Sequence, residues 1–103
     1  MRVELHPEAR VELRAAANWY DERRAGLGDE FMAELSALLT RIGAMPEAFP
    51  SWPRTSAARS RIHMAIVLRF PYLIAFERRS GAVVVLAIAH AKRRPLYWLT
   101  RAL

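Results

Sequence analysis

The sequence predicts an α+β domain in the order β-α-α-β-β-β, with an N-terminal helical hairpin packed on one face of an antiparallel sheet. Two periodicities support this fold class. Apolar residues recur at intervals of three and four through the first part of the chain, and they alternate with other residues from position 61 onward. A chain of 103 residues is long enough for one hydrophobic core but not for two. We therefore expect residues 1–103 to form a single domain.

The N-terminal part is predicted to hold a short edge strand and a first helix. Val3 and Leu5 alternate with charged neighbours, as in a strand with one buried face. Pro7 suits the first turn of a helix, and apolar residues from Ala9 to Tyr20 mark one face of that helix through about Arg23. The charged residues off this face are interpreted as solvent-exposed: Glu8, Arg10, Glu12 and Arg14.

A second helix follows after a glycine-containing turn at 25–28. Asp29 and Glu30 suit the positive end of its dipole, and apolar positions from Phe31 to Met45 keep the same rhythm. Two amphipathic helices with so short a connection predict an antiparallel hairpin. Pro46, Pro50 and Pro53 then mark an irregular linker, which Phe49 and Trp52 are expected to pin to the body.

Three strands are predicted after the linker. From residue 61, Ile62 and the alternate positions to Leu68 share one face, while Arg61, His63 and Arg69 share the other. Residues 72–77 form the next strand, and residues 78–81 form a hairpin turn. Residues 83–89 are all apolar, which predicts a strand buried on both faces. With helices on one face only, Arg61, His63 and Arg69 are expected to line the free face. The tail at 95–103 is expected to form a short helix or to fold along the sheet.

Positive charge is concentrated in the second half of the chain. Residues 1–50 hold six Arg against nine Asp and Glu, a net charge of −3. Residues 51–103 hold nine Arg and one Lys against Glu77 alone, a net charge of +9. This asymmetry suggests an anionic partner, either a nucleic acid or an acidic protein segment.

Several classes of protein are excluded or disfavoured. The sequence has no cysteine, which rules out disulfides and thiolate metal sites. No apolar run approaches the ~20 residues of a membrane span, and the N-terminus lacks a signal-peptide core. The three histidines have no metal-ligand spacing, and no glycine-rich phosphate loop is present. We expect a cytoplasmic protein without a metal, a cofactor or a membrane anchor.

The end of the last predicted strand carries groups that could act on a phosphodiester. Cleavage of RNA needs a base, an acid and cations that stabilise the developing phosphorane charge. Tyr97 or Trp98 could stack on a base. The alternative is that these residues pack against the core or anchor an acidic partner peptide. The candidates for the chemistry are Arg61, His63, His90, Lys92, Arg93, Arg94 and Tyr97.

Four segments together resemble the RelE/ParE superfamily, the toxins of bacterial type II toxin–antitoxin pairs. They are WYDERRAGLGDEF at 19–31, MPEAFP at 45–50, RFPYLIAFE at 69–77 and VVVLAIAHAKRRPLYW at 83–98. The resemblance covers almost the whole domain. It implies the fold predicted above and a cognate antitoxin that wraps the toxin and covers its functional surface.

The resemblance implies one of two activities. RelE-like members cut messenger RNA in the ribosomal decoding site, whereas ParE-like members poison DNA gyrase and are not known as nucleases. Arg61 and His63 match basic positions of the RelE-type pattern on its second strand, and Arg93 matches an arginine just past the last strand, preceded by Lys92. Tyr97 resembles the C-terminal tyrosine but arrives slightly early. Leu73 departs from the pattern, which often has an arginine there.

From these observations we expect ribosome-dependent mRNA cleavage by a metal-independent endoribonuclease that a cognate antitoxin neutralises. The alternatives are a gyrase inhibitor without nuclease activity and an inactive relative that only binds the antitoxin. Partners are then the antitoxin, in a hetero-oligomer, and either the ribosome with its mRNA or DNA gyrase. The expected catalytic residues are Arg61, His90, Arg93 and Tyr97. The expected RNA- or partner-binding residues are His63, Arg69, Lys92, Arg94 and Trp98.

Overall fold

The computed structural model describes residues 1–52 and 61–102, and its elements follow the predicted order. The elements are β1 (Arg2–Leu5), α1 (Pro7–Arg23), α2 (Leu27–Ala44), β2 (Ile62–Ile66), β3 (Tyr72–Arg79) and β4 (Ala82–His90). Short 3-10 turns occupy Pro46–Ala48 and Leu99–Arg101. Pro53 of the predicted linker lies outside the described residues.

The two helices form the predicted hairpin, and two glycines make its tight connection. Gly26 has a φ of 89°, a left-handed conformation that favours glycine, and it precedes the first turn of α2. Gly28 lies against α1, where its backbone N–H donates to Asp21 Oδ1 at 2.7 Å. A side chain at Gly28 would collide with the carbonyl oxygen of Ala17, so the close approach of the helices requires glycine there.

The sheet has the strand order β1-β4-β3-β2. The pairs β2–β3 and β3–β4 are antiparallel, as predicted. The prediction of an antiparallel sheet is wrong for β1, which runs parallel to β4 with Val3 opposite Val83. Parallel neighbours need a long connection between them, and here the helical hairpin and the two middle strands supply it.

Both faces of the sheet are covered. The hairpin covers one face, where Phe31, Leu35 and Ile42 pack against Ile74 and Val85. The C-terminal segment covers the other face. This agrees with the prediction that the tail could fold along the sheet.

Trp98 is the centre of the second core. Its side chain is 1% exposed, and it packs with Ile62, Ala75 and Leu86 and makes an edge contact with Trp52 at 5.1 Å. The expectation of a free second face is therefore wrong, because apolar residues on that face also need cover from water. The linker is pinned as predicted, since Trp52 contacts Trp98 and Phe49 contacts Phe76.

Strand β4 has an irregularity that shapes the functional site. Ala75 pairs with Ala87 and Phe76 pairs with Val85, so Leu86 is an extra residue that forms a β-bulge. Strand β1 ends at this level, where Leu5 pairs with Val85. Among the residues that the structure describes, none forms a strand beside the outer edge of the second half of β4.

Substitution of Trp98 tests the importance of the second core. We expect Trp98→Ala to lower the free energy of unfolding by about 3–5 kcal/mol, because the change removes the largest fully buried side chain. Urea denaturation of both proteins measures the difference. The control is Leu68→Ala, whose side chain is 88% exposed and whose loss should cost less than about 0.5 kcal/mol. Equal effects of the two substitutions would contradict the account.

Candidate functional site

A carboxylate takes the place of the missing strand beside β4. Glu12 of α1 accepts a hydrogen bond from the Ile88 backbone N–H through Oε1 at 3.0 Å. Arg101 pairs with Glu12 in a fork, with Nη1 to Oε1 at 3.0 Å and Nη2 to Oε2 at 3.1 Å. The same guanidinium donates to the Leu86 carbonyl oxygen at 3.0 Å. The pair thus satisfies backbone groups of the bulged edge that would otherwise lack partners.

This pair corrects the interpretation of Glu12 as a solvated residue. The side chains of Glu12 and Arg101 are only 15% and 14% exposed. A fork between guanidinium and carboxylate is among the stronger polar contacts in proteins. No sequence signal pointed to it, because the two residues are 89 positions apart and Arg101 lies in a short turn rather than in a patterned element.

Tyr97 is a third member of this network. Its hydroxyl donates to Glu12 Oε2 at 2.6 Å, and its ring centroid lies 4.0 Å from the guanidinium carbon of Arg93 and 5.3 Å from that of Arg101. Burial raises the pKa of the Tyr97 phenol well above its ordinary value, and the hydrogen bond to Glu12 raises the pKa further. The phenol therefore keeps its proton at neutral pH and is poorly suited to act as a base.

His90 ends β4 beside an exposed basic turn, which we define as residues 92–94. Its ring is half-buried and makes an edge contact with Tyr72 at 5.1 Å. The Lys92 backbone N–H donates to His90 Nδ1 at 3.0 Å. In the neutral ring, Nδ1 is thus the acceptor and Nε2 carries the proton. Lys92, Arg93 and Arg94 are all exposed.

His63 lies on the sheet face that the helices cover, and Arg69 lies in the connection between β2 and β3, so neither residue lines a free face. The His63 ring stacks on Phe76 with centroids 5.3 Å apart, and its Nδ1 lies 2.9 Å from the Phe49 carbonyl oxygen. Arg69 donates from its backbone N–H to Glu34 and from Nη2 to Glu30, both at 2.9 Å. The hydrogen bond from Arg69 also lowers the pKa of the Glu30 carboxyl. Both residues are held by local contacts.

The register of the sheet separates Arg61 from His90. Residue 62 pairs with Glu77 at one end of β3, whereas His90 pairs with Tyr72 at the other end. This is a separation of roughly 17 Å along the strand direction. Trp98 is buried, so its ring is not available to stack on a base. The structure brings together His90, the basic turn and Tyr97, but it does not bring Arg61 and His63 to the same place.

Part of the positive charge of the second half is paired with carboxylates inside the fold. Acidic residues of the first half pair with arginines of the second half: Glu12 with Arg101, Glu30 and Glu34 with Arg69, and Glu47 with Arg78. Across residues 1–52 and 61–102, no carboxylate forms an ion pair with the basic turn. Lys92, Arg93 and Arg94 therefore form an exposed run of three cations that no described carboxylate pairs.

Two classes of site are not seen in the part of the chain that the structure describes. Its His, Asp and Glu side chains nowhere gather in a group of three that could hold a metal ion. None of its helices is long and apolar enough to cross a membrane.

Comparisons with known proteins agree with this architecture. The sequence matches a protein-family profile described as "ParE toxin of type II toxin-antitoxin system, parDE" over residues 3–95. A solved structure titled "Chromosomal ParDE TA system from P. aeruginosa" has a similar fold, with a TM-score of 0.64 and 12% sequence identity. The match covers 89% of this chain and 97% of that chain. At this identity the likeness concerns the fold alone. No curated protein gives a significant match.

Removal of the Glu12 carboxylate tests the network. We expect Glu12→Ala to lower the free energy of unfolding by about 3 kcal/mol, because it leaves the mostly buried Arg101 guanidinium without its anion. The control is Glu22→Ala, since Glu22 belongs to an exposed pair with Arg23 and should contribute less than about 0.5 kcal/mol. Chemical denaturation gives both values. A Glu12→Ala protein as stable as the control would show that the network does not hold the C-terminal segment.

The pKa of Tyr97 gives a second test. Burial raises the pKa of all three tyrosines of the chain, so tyrosinate absorbance of the folded protein should rise at higher pH than that of the unfolded chain. Because the fold favours the neutral phenol, the stability that Tyr97 contributes is complete below a pH of about 10 and is lost as the pH rises further. Tyr97→Phe should remove the part of the absorbance change that occurs at the highest pH. Loss of a component near the ordinary tyrosine pKa would contradict this assignment.

Proposed function

The chain belongs to the ParE toxin family of type II toxin–antitoxin systems, and we propose that it arrests growth by binding DNA gyrase rather than by cleaving RNA. The proposed contact is made by the basic turn and its neighbours on β4. In this proposal the toxin acts in the cytoplasm, and its antitoxin partner neutralises it.

One observation carries this proposal: the groups expected to cleave RNA do not converge on one place. Arg61 lies at the opposite end of the sheet from His90, and His63 is held by stacking on Phe76 and by the Phe49 carbonyl oxygen. The Tyr97 phenol is bound to Glu12 and holds its proton. General acid–base catalysis needs such groups within hydrogen-bond reach of the same substrate atoms.

The exposed charges of the basic turn suit a contact with the surface of another protein. Lys92, Arg93 and Arg94 form a compact cationic turn at the end of a rigid central strand. Electrostatic complementarity of this kind accelerates association and selects partners that carry acidic surfaces. Such a protein–protein contact does not require a catalytic acid or base. Inhibition of gyrase through a protein–protein contact is the activity that ParE-like membership implies.

Ribosome-dependent mRNA cleavage is the second candidate function, and the position of His90 favours it. The Nδ1 atom of His90 is occupied by the Lys92 backbone N–H, so the ring would present Nε2 to a substrate beside three cations. This arrangement could supply one proton-transfer group and phosphate contacts. The arrangement lacks a second group for proton transfer, because the Tyr97 hydroxyl is hydrogen-bonded to Glu12.

Induction of the toxin without its antitoxin separates these functions. We expect growth arrest with intact messages and accumulating double-strand DNA breaks, and we expect no arrest in cells whose gyrase is resistant. Lys92→Ala/Arg94→Ala should weaken gyrase binding by about tenfold or more, because it removes two exposed charges from the basic turn. Sequencing of transcript ends and a DNA-break assay provide the measurements.

The matched control is Arg10→Ala/Arg14→Ala, which removes two exposed charges from α1 and should leave the arrest unchanged. New transcript ends at codon-spaced positions, lost in His90→Ala/Arg93→Ala, would replace the gyrase proposal with mRNA cleavage. A complete absence of arrest would identify an inactive relative that only binds the antitoxin.

A further inference from the structure

A small apolar cavity lies beside the basic turn, on the sheet face opposite the helices. We propose that it takes one large apolar side chain from an acidic segment of gyrase and so anchors the toxin there. This inference rests on the proposed function, because it takes gyrase as the partner. It adds the place of the anchor and the chemistry of the segment that is bound. We call the cavity the socket, and its principal lining residues are Leu73, Ala89, Ala91, Arg94, Leu96 and Trp98.

Small side chains at the end of β4 leave the space for the socket. Ala89 and Ala91 are two positions apart on an extended chain, so both line this one face. Leu73 pairs with Ala89 across the sheet and lines the socket beside it. The volume is about 170 Å³. An apolar cavity of about 150 Å³ accommodates a benzene molecule, so the socket suits one large apolar side chain.

A strained turn forms the wall of the socket. Leu96 has a φ of 63°, a left-handed conformation that residues other than glycine rarely adopt. The fold imposes this conformation, since the next two residues are fixed: Tyr97 is hydrogen-bonded to Glu12, and Trp98 is buried in the second core. Leu96 and Trp98 both line the socket. The socket is therefore preformed, which lowers the entropic cost of binding.

Cations stand at the mouth of the socket. Arg93 and Arg94 line it from the basic turn, and both are exposed. Among the described residues that line it, none carries a carboxylate that would neutralise them. An apolar cavity bordered by unpaired cations fits a segment in which Asp or Glu flanks an apolar side chain. This is the chemistry that we assign to the gyrase segment.

The apolar surface continues from the socket to the edge of the sheet. Ile66 pairs with Leu73, and Leu73 pairs with Ala89, so the three side chains form one row on this face. The C-terminal segment covers the inner end of the row, where Ala89 is 4% exposed, but Ile66 at the outer end remains 63% exposed. A segment anchored in the socket can therefore also bury Ile66.

The socket and the cations have different effects on binding kinetics. Exposed charges mainly accelerate association, and added salt weakens their effect. Burial of an apolar side chain mainly slows dissociation, because the complex must expose that side chain to water before it separates. Loss of the socket should therefore raise the dissociation rate and leave the association rate unchanged.

Ala91→Leu tests the socket, because it fills the cavity from an exposed position and keeps every cation. We expect the Kd of the toxin for purified gyrase to rise about 20-fold, almost entirely through faster dissociation. Surface plasmon resonance measures both rates. The matched control is Ala37→Leu on the exposed face of α2, which should bind like the unaltered toxin. Thermal unfolding of both variants verifies that each is folded.

Ile66→Ala gives a second, independent test that does not alter the socket itself. The side chain is largely exposed, so its loss should not unfold the protein. We expect the Kd for gyrase to rise about fivefold, again through faster dissociation. Unchanged binding by both Ile66→Ala and Ala91→Leu would leave the cations as the whole contact and overturn the inference.

The outcomes separate this inference from the proposed function. If the unaltered toxin binds gyrase and folded Ala91→Leu binds equally well or more tightly, the socket is overturned and the proposed function stands. Equal weakening by Ala91→Leu and Ala37→Leu would also overturn the socket, because its position would then not matter. Failure of the unaltered toxin to bind gyrase would overturn both.

Discussion

The Glu12 carboxylate is the contact on which the arrangement of the site depends. It joins three parts of the fold that are distant in sequence: helix α1, the bulged edge of β4 and the C-terminal segment. Strand β1 stops beside Val85, so the backbone groups of Leu86 and Ile88 need other partners, and Glu12 and Arg101 supply them. Tyr97, held by the same carboxylate, carries Arg93 over its ring and thereby helps to fix the basic turn.

This arrangement gives the positive charge of the chain two separate roles. Some arginines of the second half neutralise acidic residues of the first half, as in the pairs Glu12 with Arg101, Glu30 with Arg69 and Glu47 with Arg78. Only a part of the excess charge remains for a partner. Within the described residues, the basic turn is an exposed run of three cations that form no ion pair with a carboxylate. The short β1 thus creates the need for the Glu12 carboxylate beside β4.

The sequence predicted the periodic parts of the fold well. Helical spacing located both helices, the glycine turn located their connection, and the apolar run at 83–89 located the central strand. The parallel pairing of β1 was missed because a four-residue edge strand pairs equally well in either direction until its connections are known. The role of Glu12 was missed because periodicity separates apolar from polar positions but does not distinguish a solvated carboxylate from one paired across 89 residues.

The sequence predicted the parts of the site that are close together in the chain, but not those that depend on how the strands pair. His90, Arg93 and Tyr97 are close in sequence, and the structure does bring them together. Arg61 and His63 depend on the register and facing of β2, and these are set by Ile62, which is buried against the second core. Alternation indicated which residues share a face of β2, but not which face the helices cover. The role of Trp98 could not be predicted for a similar reason, since the sequence does not distinguish a tryptophan that packs in a core from one that binds a ligand.

The most direct test of the central claim combines purified toxin, purified DNA gyrase and supercoiled plasmid, with a parallel reaction on translating ribosomes. The account predicts that the toxin traps cleaved DNA on gyrase and leaves ribosome-bound messages intact. It also predicts that the cleaved product disappears when the antitoxin is added. Cleavage of messages on the ribosome, with no effect on gyrase, would contradict the account and return His90 and Arg93 to a catalytic role.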